Sequence, residues 1–298
     1  MNILFRVDSS SKIGLGHLMR CLVLADQYLK DSIIFAAQDL KGNANQKIID
    51  KGYQLTILSN NSIYELEKNI NKFKVDLTIF DHYDIDDKFE KKIKEKTNVQ
   101  ILSIDDTYEK HHCDILLNHN IYASVEQYKA LVPDFCEVRC GEKYMLIRDE
   151  FKKLKINKRP INKKNRVIFV SFGGSDASNI GLTVLKAHAD FDGITINFAT
   201  TSANQNIDKL KDFAKHHQNI NICIDCNIAE MMNDSDYAII SSSVTTYEAM
   251  YLDLPFLAIQ TADNQSHISD YLIEHNYLFG NVKTLDSIKP LIQALLDS

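Results

Sequence analysis

The sequence predicts an α/β protein of two Rossmann-like domains that face each other across a cleft. Short apolar runs with strand composition alternate with stretches of helical periodicity, a pattern typical of parallel sheets with right-handed crossovers. The pattern restarts after residue 166, and in each half the first strand leads into a glycine-bearing loop. A chain of 298 residues is long enough to bury two cores.

Apolar runs set the predicted strands. In the first half they cover residues 3–7, 32–37, 53–58, 75–80, 99–104 and 114–118. In the second half they cover residues 167–172, 194–199, 219–224, 237–240 and 255–259. Ser62 and Glu65 have the spacing of a capping box and predict the start of a helix. An amphipathic helix over about 285–296 closes the chain.

A change in composition marks the predicted domain boundary. Residues 152–166 carry eight basic side chains and no acidic one, with a proline among them. We interpret this stretch as a basic linker between an N-terminal domain, 1–151, and a C-terminal domain, 167–298. A solvated surface linker and a segment that contacts an anionic ligand both fit this composition.

Charge and hydropathy exclude some classes of protein. The formal net charge of −6 argues against broad binding to nucleic acid, which needs clustered Lys and Arg. No apolar run approaches the ~20 residues that span a bilayer. The first apolar run is cut by Arg6 and Asp8 and lacks the form of a signal peptide. We therefore expect a cytoplasmic protein without a membrane partner. We also expect a monomer.

Neither the cysteines nor the acidic residues predict a metal. Cys223 and Cys226 form C-I-D-C at the end of a strand-like run, whereas a redox pair usually opens a helix. We expect all six cysteines to be reduced structural thiols. The D-x-D spelling at residues 84–86 opens a predicted helix rather than joining two strands. The sequence predicts no metal and no cofactor.

The stretch from Ile3 to Asp26 carries the first functional signal. A strand leads into a polar loop with Gly14 and Gly16, and His17 then begins a helix. Such a loop presents unpaired backbone N–H groups to a phosphate, and the imidazole adds a possible base. The G-x-G-x-x-G fingerprint is incomplete, because no third glycine follows Gly16 before Arg20 and Cys21. Ordinary turn chemistry with a solvated histidine remains the alternative.

Polar residues follow several predicted strands of the first half at the point where each strand ends. Ligands bind outside the carboxyl ends of the strands in open α/β sheets, so these side chains could converge on one edge. They are Asp8, His17, Asp81, His82, Asp105, Asp106, Asn118 and His119. Solvated loop residues are the alternative for each one taken alone.

The second half carries two loops of similar character. Gly173 and Gly174 follow its first strand, and a run of small hydroxylated residues, 241–246, precedes a helix that carries Glu248. Backbone N–H groups and hydroxyls in such a run suit a diphosphate. Glu248, placed in the first turn, could accept two ribose hydroxyls. A cluster of N-cap residues with a glutamate matched to the helix dipole is the alternative.

Several motifs together resemble a known family. They are F-R-V-D-S-S-S-K-I-G-L-G-H-L-M-R-C-L-V-L-A (5–25), I-F-D-H-Y (79–83), L-S-I-D-D (102–106), H-H-C-D-I-L-L-N (111–118), C-E-V-R-C-G (136–141), L-I-R-D-E-F (146–151) and G-G-S-D (173–176). In this order they resemble the nucleotide-sugar hydrolases of pseudaminic acid biosynthesis, which hydrolyse UDP-2,4-diacetamido-2,4,6-trideoxy-β-L-altropyranose. The resemblance covers nearly the whole chain.

The resemblance implies a glycosyltransferase-B-like fold and a hydrolysis that breaks the bond between sugar C1 and oxygen with inversion. It implies that His17 is the general base, and it connects the protein with flagellin glycosylation. We expect the substrate to be bound by Asp8, Gly14, Gly16, Asp81, His82, Tyr83, Asn118 and Arg148. We expect the nucleotide to be bound by Gly173, Gly174, Ser242, Ser243, Val244, Glu248 and Asn264.

Two other functions remain compatible with the sequence. An inverting glycosyltransferase would give the sugar of the small-molecule UDP-sugar to an unidentified acceptor, and a non-catalytic module would only bind it. The sequence shows no long hydrophobic patch that would dock a lipid acceptor, which favours hydrolysis. A base on the face opposite UDP is what inverting attack by water requires.

Overall fold

A computed structural model describes residues 1–154, 165–174, 176, 179–188, 193–283 and 287–297. The chain divides into two compact units, Met1–Leu146 and Ile147–Ser298. Arg148 therefore belongs to the second unit. Of the predicted linker, residues 155–164 lie outside the described residues.

The first unit, Met1–Leu146, is one parallel sheet with helical crossovers. Its strands are β1 (Asn2–Val7), β2 (Ser32–Gln38), β3 (Gln54–Leu58), β4 (Leu77–Asp81), β5 (Gln100–Ile104), β6 (Ile115–Asn118) and β7 (Glu137–Cys140). Its α-helices are α1 (Gly16–Ala25), α2 (Gln46–Asp50), α3 (Ile63–Phe73) and α4 (Asp87–Thr97).

The strand order of this sheet is β3-β2-β1-β4-β5-β6-β7, and each neighbouring pair is parallel. The chain runs outward from β1 in one direction and then returns to place β4 on its other side. Loops on the two sides of this switch diverge and leave a crevice at the carboxyl ends of β1 and β4. The topology therefore marks that place for a ligand.

Alternate side chains of β1 build the two layers of the core. Ile3, Phe5 and Val7 are buried with Leu18 and Leu22 of α1 on one face. On the other face Leu4 packs in a cluster with residues of α3 and α4, Leu66, Ile70 and Ile93. A strand covered on both faces is largely apolar, and β1 is so apart from Asn2 at its start and the buried Arg6, which pairs with Asp8.

The second unit, Ile147–Ser298, repeats the architecture. Its strands are β8 (Arg166–Ser171), β9 (Ile194–Thr200), β10 (Ile220–Ile224), β11 (Tyr237–Ser241), β12 (Phe256–Gln260) and β13 (Leu278–Asn281). Its α-helices are α5 (Asp149–Leu154), α6 (Ile180–His188), α7 (Ile207–Ala214), α8 (Ile228–Asn233), α9 (Val244–Tyr251), α10 (Ser266–Glu274) and α11 (Lys289–Asp297). The strand order is β10-β9-β8-β11-β12-β13, again parallel, so the switch falls between β8 and β11.

The predicted strands are confirmed to within one or two residues, and so is the fold class of two Rossmann-like domains. Two strands were not predicted. β7 and β13 are short edge strands of partly polar sequence, and neither shows a continuous apolar run. The predicted helix at 285–296 starts later, at Lys289, and residues 284–286 lie outside the described residues.

The capping box at Ser62 is half correct. The hydroxyl of Ser62 accepts the backbone N–H of Glu65 at 3.2 Å and caps α3 as predicted. The second bond of the box, from the N–H of Ser62 to the side chain of Glu65, is not formed. The N–H of Ser62 donates to Oδ1 of Asn60 instead. A preceding Asx turn satisfies the donor that Glu65 was expected to bind.

The prediction that all six cysteines are reduced was wrong for one pair. Cys223 and Cys226 form a disulfide, with Cα atoms 5.9 Å apart. Asp225 has φ +55°, and this left-handed residue turns the chain after β10 so that the two sulfurs meet. Cys21, Cys113, Cys136 and Cys140 are free thiols. Among the described residues, no helix is long and apolar enough to cross a membrane.

Candidate active site

The loop between β1 and α1 places His17 at the switch point of the first unit. Gly14 lies at φ +83° and donates its N–H to the carbonyl of Ser10, which closes a tight turn. Only glycine adopts this conformation without strain. A Cβ at Gly14 or Gly16 would meet no atom within 4 Å, so both lie beside open space. Across the switch, Val7 of β1 is in register with Asp81, the last residue of β4.

Asp81 fixes the tautomer of His17. Nδ1 of the ring lies 2.6 Å from Oδ1 of Asp81. A carboxylate only accepts, so the proton between them belongs to Nδ1. Nη2 of Arg20 also lies 2.9 Å from Nδ1, but a protonated Nδ1 has no lone pair for it. Nε2 therefore carries the free lone pair, and no described residue forms a hydrogen bond with it.

Arg20 follows His17 by one helical turn and shares its partner. It donates Nε to Oδ2 and Nη2 to Oδ1 of Asp81, at 2.6 and 2.5 Å. Nη1 donates to Oδ2 of Asp106, which follows β5, at 2.5 Å. This bidentate pairing fixes the plane of the Asp81 carboxylate.

Tyr83 closes the arrangement into a ring. Its hydroxyl donates to Oδ1 of Asp106 at 3.1 Å, and its aromatic ring meets the imidazole of His17 edge to face at 4.7 Å. We call His17, Arg20, Asp81, Tyr83 and Asp106 the base cluster. Two carboxylates against one guanidinium leave this cluster with one negative charge while His17 is neutral.

The protonation states of the base cluster follow from these contacts. Burial opposes the charge on Asp81, but the guanidinium of Arg20 and the bonds from Arg20 and His17 outweigh it and hold the pKa of Asp81 well below its usual range. Burial and the Asp106 carboxylate raise the pKa of Tyr83 to about 12. Asp81 is therefore ionised and Tyr83 protonated at neutral pH.

A second histidine of the same loops is used differently. The N–H of Asp84 donates to Nδ1 of His82 at 3.1 Å, so the proton of this ring is on Nε2, 3.0 Å from Oδ2 of Asp8. Asp8 also accepts two bonds of 2.7 Å from Arg6, which is fully buried. Both nitrogens of His82 are thus committed inside the protein. The prediction that Asp8 and His82 bind substrate stays a prediction.

Asn118 points into a buried polar network rather than toward solvent. Its Nδ2 donates to the Tyr128 hydroxyl at 2.9 Å, and its Oδ1 accepts both the N–H and the side chain of Asn120. Tyr128 in turn donates to Asp105 at 2.6 Å. Asn118 supports the loop after β6 in this structure, and its predicted contact with substrate stays a prediction.

His119 is buried beside the base cluster. It is 2% exposed, and neither ring nitrogen has a hydrogen-bond partner among the described residues. Burial and the nearby charge of Arg20 lower the pKa of His119 to about 4. This imidazole is therefore neutral at physiological pH.

In the second unit, the glycine loop follows β8 at the switch point. Gly173 has φ +77°, so a side chain there would be strained. Gly174 lies against β9, where a Cβ would come within 2.9 Å of the hydroxyl of Thr201, and its carbonyl accepts that hydroxyl. Packing alone accounts for glycine at 174, and its predicted contact with the nucleotide stays a prediction.

The serine loop follows β11 on the other side of this switch. Ser243 precedes α9, but its hydroxyl makes no capping bond, and instead lies 3.0 Å from the hydroxyl of Ser241. Ser242 is fully buried, and its hydroxyl has no partner among the described residues. Val244, the first residue of α9, is 42% exposed. The first turn of α9 is thus not capped by the serine.

Glu248 lies one turn further along α9 than predicted. It is the fifth residue of the helix, and the first turn holds no acidic residue, so its placement in the first turn was wrong. Arg148 donates Nε to Oε1 and Nη2 to Oε2 of Glu248, at 2.7 and 3.0 Å. The structure therefore brings together two predicted site residues 100 positions apart. Asn264 is exposed in a short 3-10 turn after β12.

Sequence reasoning missed Arg20 as a site residue. It was noted only as a residue beyond the incomplete dinucleotide fingerprint. Its position three residues after His17 on α1 places both side chains on one helix face, and this spacing could have revealed it. Among the described residues, no group of three His, Cys, Asp or Glu side chains is arranged to hold a metal ion.

Comparison with solved structures defines the class of fold. MurG of Acinetobacter baumannii superposes with a TM-score of 0.64 over 99% of this chain and 90% of its own, at 12% identity. The calicheamicin glycosyltransferase CalG4 superposes with a TM-score of 0.66 over 100% and 90%, at 10% identity. The fold is that of the GT-B glycosyltransferases, and at these identities the likeness concerns the fold alone.

Sequence comparison defines the family. No family model matches the chain. The chain is 44% identical over 279 residues to a Campylobacter jejuni protein named UDP-2,4-diacetamido-2,4,6-trideoxy-β-L-altropyranose hydrolase, covering 93% of this chain and 98% of that protein. The chain belongs to the family of these UDP-sugar hydrolases.

Proposed function

We propose that this protein hydrolyses UDP-2,4-diacetamido-2,4,6-trideoxy-β-L-altropyranose to UDP and free 2,4-diacetamido-2,4,6-trideoxy-L-altrose, a step of pseudaminic acid biosynthesis. The observation that carries the proposal is the pairing of His17 with Asp81 in a chain 44% identical to a hydrolase of that name. A neutral imidazole with one nitrogen held by a carboxylate and the other free has the form of a general base.

The proposed reaction consumes one water molecule. Its oxygen attacks C1 of the sugar on the face opposite UDP while Nε2 of His17 takes one of its protons. The bond between C1 and the diphosphate oxygen breaks, the electron pair leaves with UDP, and the configuration at C1 inverts. The negative charge of the base cluster stabilises the imidazolium that forms.

The second unit is proposed to hold the nucleotide. The uncapped first turn of α9 and the loop of Gly173 and Gly174 offer backbone N–H groups to the diphosphate, which makes UDP a better leaving group. Glu248 is proposed to accept the ribose hydroxyls. Ser242, Ser243, Val244 and Asn264 complete the proposed nucleotide contacts, and Arg148 the substrate contacts.

The remaining parts of the proposal concern the setting of the reaction. We propose a cytoplasmic monomer whose partner is the small-molecule UDP-sugar, without nucleic acid, membrane, metal or cofactor. The product sugar is proposed to serve flagellin glycosylation. One alternative is an inverting glycosyltransferase that uses an acceptor other than water.

One experiment separates these functions. The purified protein is incubated with the UDP-sugar in ¹⁸O-labelled water without any acceptor and followed by NMR and mass spectrometry. We expect UDP without label and a sugar labelled at C1. Absence of both products would exclude the hydrolase, and label in UDP would exclude cleavage between C1 and oxygen.

A variant pair connects the activity to His17. His17→Asn should lose nearly all turnover, about 10²- to 10⁴-fold, and keep its affinity for UDP, because the base is removed and the nucleotide contacts are not. The matched control is His216→Asn, which changes an exposed histidine at the end of α7 and should leave both quantities unchanged. Equal turnover of the two variants would refute the role of His17.

A further inference from the structure

Arg20 is the one cation of the base cluster, and it contacts most of the other members. It reaches both oxygens of Asp81, one oxygen of Asp106 and the vicinity of Nδ1 of His17. Its side chain is only 12% exposed, so these contacts are weakly screened by water. An arginine buried this deeply against two carboxylates has a fixed position as well as a fixed charge.

The position of Arg20 orients the base. Its two bonds fix the Asp81 carboxylate in one plane, and Oδ1 in that plane receives the proton of Nδ1. Without the guanidinium, the Asp81 carboxylate could rotate about its Cβ–Cγ bond. The hydrogen bond that orients the ring of His17 would then be lost. The third bond, to Asp106, extends the same frame to the hydroxyl of Tyr83.

The charge of Arg20 opposes protonation of His17. Its Nη2 lies 2.9 Å from Nδ1, and it neutralises part of the Asp81 charge that would otherwise stabilise an imidazolium. Asp106 has the opposite effect on the protonation of His17, because its negative charge offsets part of the positive charge of Arg20. The balance of one cation against two anions decides how readily His17 gains a proton.

We propose that Arg20 is a positioning residue for the general base. Through Asp81 it keeps the proton of His17 on Nδ1 and the free lone pair on Nε2. The proposal rests on the proposed function of His17. Arg20 acts through Asp81 and His17 and is not itself required to touch the sugar.

Other titratable groups face Arg20 and His17 from the neighbouring elements. They are Cys21 on α1, Asp81 at the end of β4, Tyr83 after β4, Asp106 after β5, and His119 and Tyr122 after β6. Burial raises the pKa of Cys21, Tyr83 and Tyr122, while the pKa of Asp81 is low and that of His119 is about 4. Cys21, Tyr83, Tyr122, Asp81 and His119 therefore do not change charge near neutral pH and do not contribute to a shift of the rate profile there.

The test uses two variants with opposite expected shifts. Arg20→Gln leaves the cluster with one more negative charge, so the acid limb of kcat/KM should move to higher pH by about one unit or more. Asp106→Asn removes one negative charge, so the same limb should move to lower pH. Arg20→Lys keeps the positive charge but loses the bidentate pairing with Asp81. The acid limb of kcat/KM should therefore stay in place while kcat falls.

Two controls accompany these variants. Arg139→Gln removes another bidentate arginine, which pairs with Glu137 on an edge strand, and should leave the profile unchanged. UDP affinity should be unchanged in every variant. If Arg20→Gln does not fold, Arg20→Lys and Asp106→Asn still test the proposal.

NMR titration of the His17 imidazole without substrate should show the same opposite shifts. This readout does not depend on hydrolysis, so the inference and the proposed function can fail separately. A kcat/KM lowered equally at every pH by Arg20→Gln, or shifts of the same sign in Arg20→Gln and Asp106→Asn, would overturn the role assigned to Arg20.

Discussion

At the scale of single residues, two histidines at the same sheet edge differ in what their second nitrogen does. In His82 the backbone of Asp84 uses one nitrogen and Asp8 the other, so the ring is a structural bridge. In His17 Asp81 uses only Nδ1, and Nε2 is left over. A general base needs a free lone pair. Of these two histidines only His17 has one, so it is the candidate base.

The contact with Asp81 gives a direct prediction. Asp81→Asn should lower kcat by about 10²- to 10⁴-fold, because an amide can donate to Nδ1 and favours the tautomer whose free lone pair points inward. UDP affinity, measured by calorimetry, should not change.

The matched control for Asp81→Asn is Asp26→Asn at the other end of α1. Asp26 accepts bonds from Lys51 and Tyr53 at the end of α1 opposite to His17, so its loss should affect stability and not kcat. Wild-type kcat in Asp81→Asn, in a variant that folds normally, would show that the tautomer of His17 is not set by this carboxylate.

At the scale of elements, one side chain in the loop after β8 binds backbone N–H groups at the start of α6. Asp176 accepts the backbone N–H groups of Ile180 and Gly181 at the start of α6, both at 3.1 Å. It does so from a position that is 1% exposed and at φ +39°. Burial raises the pKa of Asp176 to about 6, despite the two bonds, which lower it.

The raised pKa of Asp176 predicts a dependence of stability on pH. The folded state holds this proton more tightly than the unfolded chain, so protonation of Asp176 raises the free energy of unfolding. This stabilisation is fully present below about pH 4 and is lost as pH rises through 6. Asp176→Asn cannot lose a proton and still accepts one N–H. Wild type should therefore lose up to about 3 kcal/mol relative to Asp176→Asn between pH 4 and 7.

Urea unfolding at several pH values measures this difference. Asp212→Asn, an exposed position on α7, is the control and should follow the wild-type curve near neutral pH. Parallel curves for wild type and Asp176→Asn would mean that Asp176 does not titrate in this window.

At the scale of the whole chain, both units place their polar loops at the switch of the same strand order. In the first unit, His119 follows β6 and is buried beside the charged residues at these strand ends. Its pKa, lowered to about 4, means that the folded state excludes a proton that the unfolded chain binds near pH 6.5. Global stability should therefore fall as pH drops from about 6.5 to 4.

His119→Leu should remove this part of the acid sensitivity. Between pH 7 and 4 the variant should gain up to about 3 kcal/mol on wild type, and at pH 7.5 it should be no less stable, because two unpartnered nitrogens are lost. Thermal unfolding at each pH measures this, with His216→Leu as the exposed control. An unchanged difference across pH would contradict the buried neutral state of His119.

Much of the fold could be predicted, because buried parallel strands are apolar throughout and stand out between helices. The edge strands β7 and β13 were missed since an edge strand is half exposed and needs no apolar run. The disulfide was missed because the turn between the two cysteines includes a left-handed residue, Asp225, which their spacing alone does not reveal.

The sequence by itself determined the two Rossmann-like domains, the loops that end at the sheet switches, and His17 as a candidate base. Only the tertiary structure decided which polar residues meet. Asp81 lies 64 positions and Asp106 86 positions from their partners in α1, and Arg148 is 100 from Glu248. Hydrophobic periodicity is local and can be read along the chain, whereas pairing between charges depends on strand order and register, which bring distant strand ends within hydrogen-bonding distance.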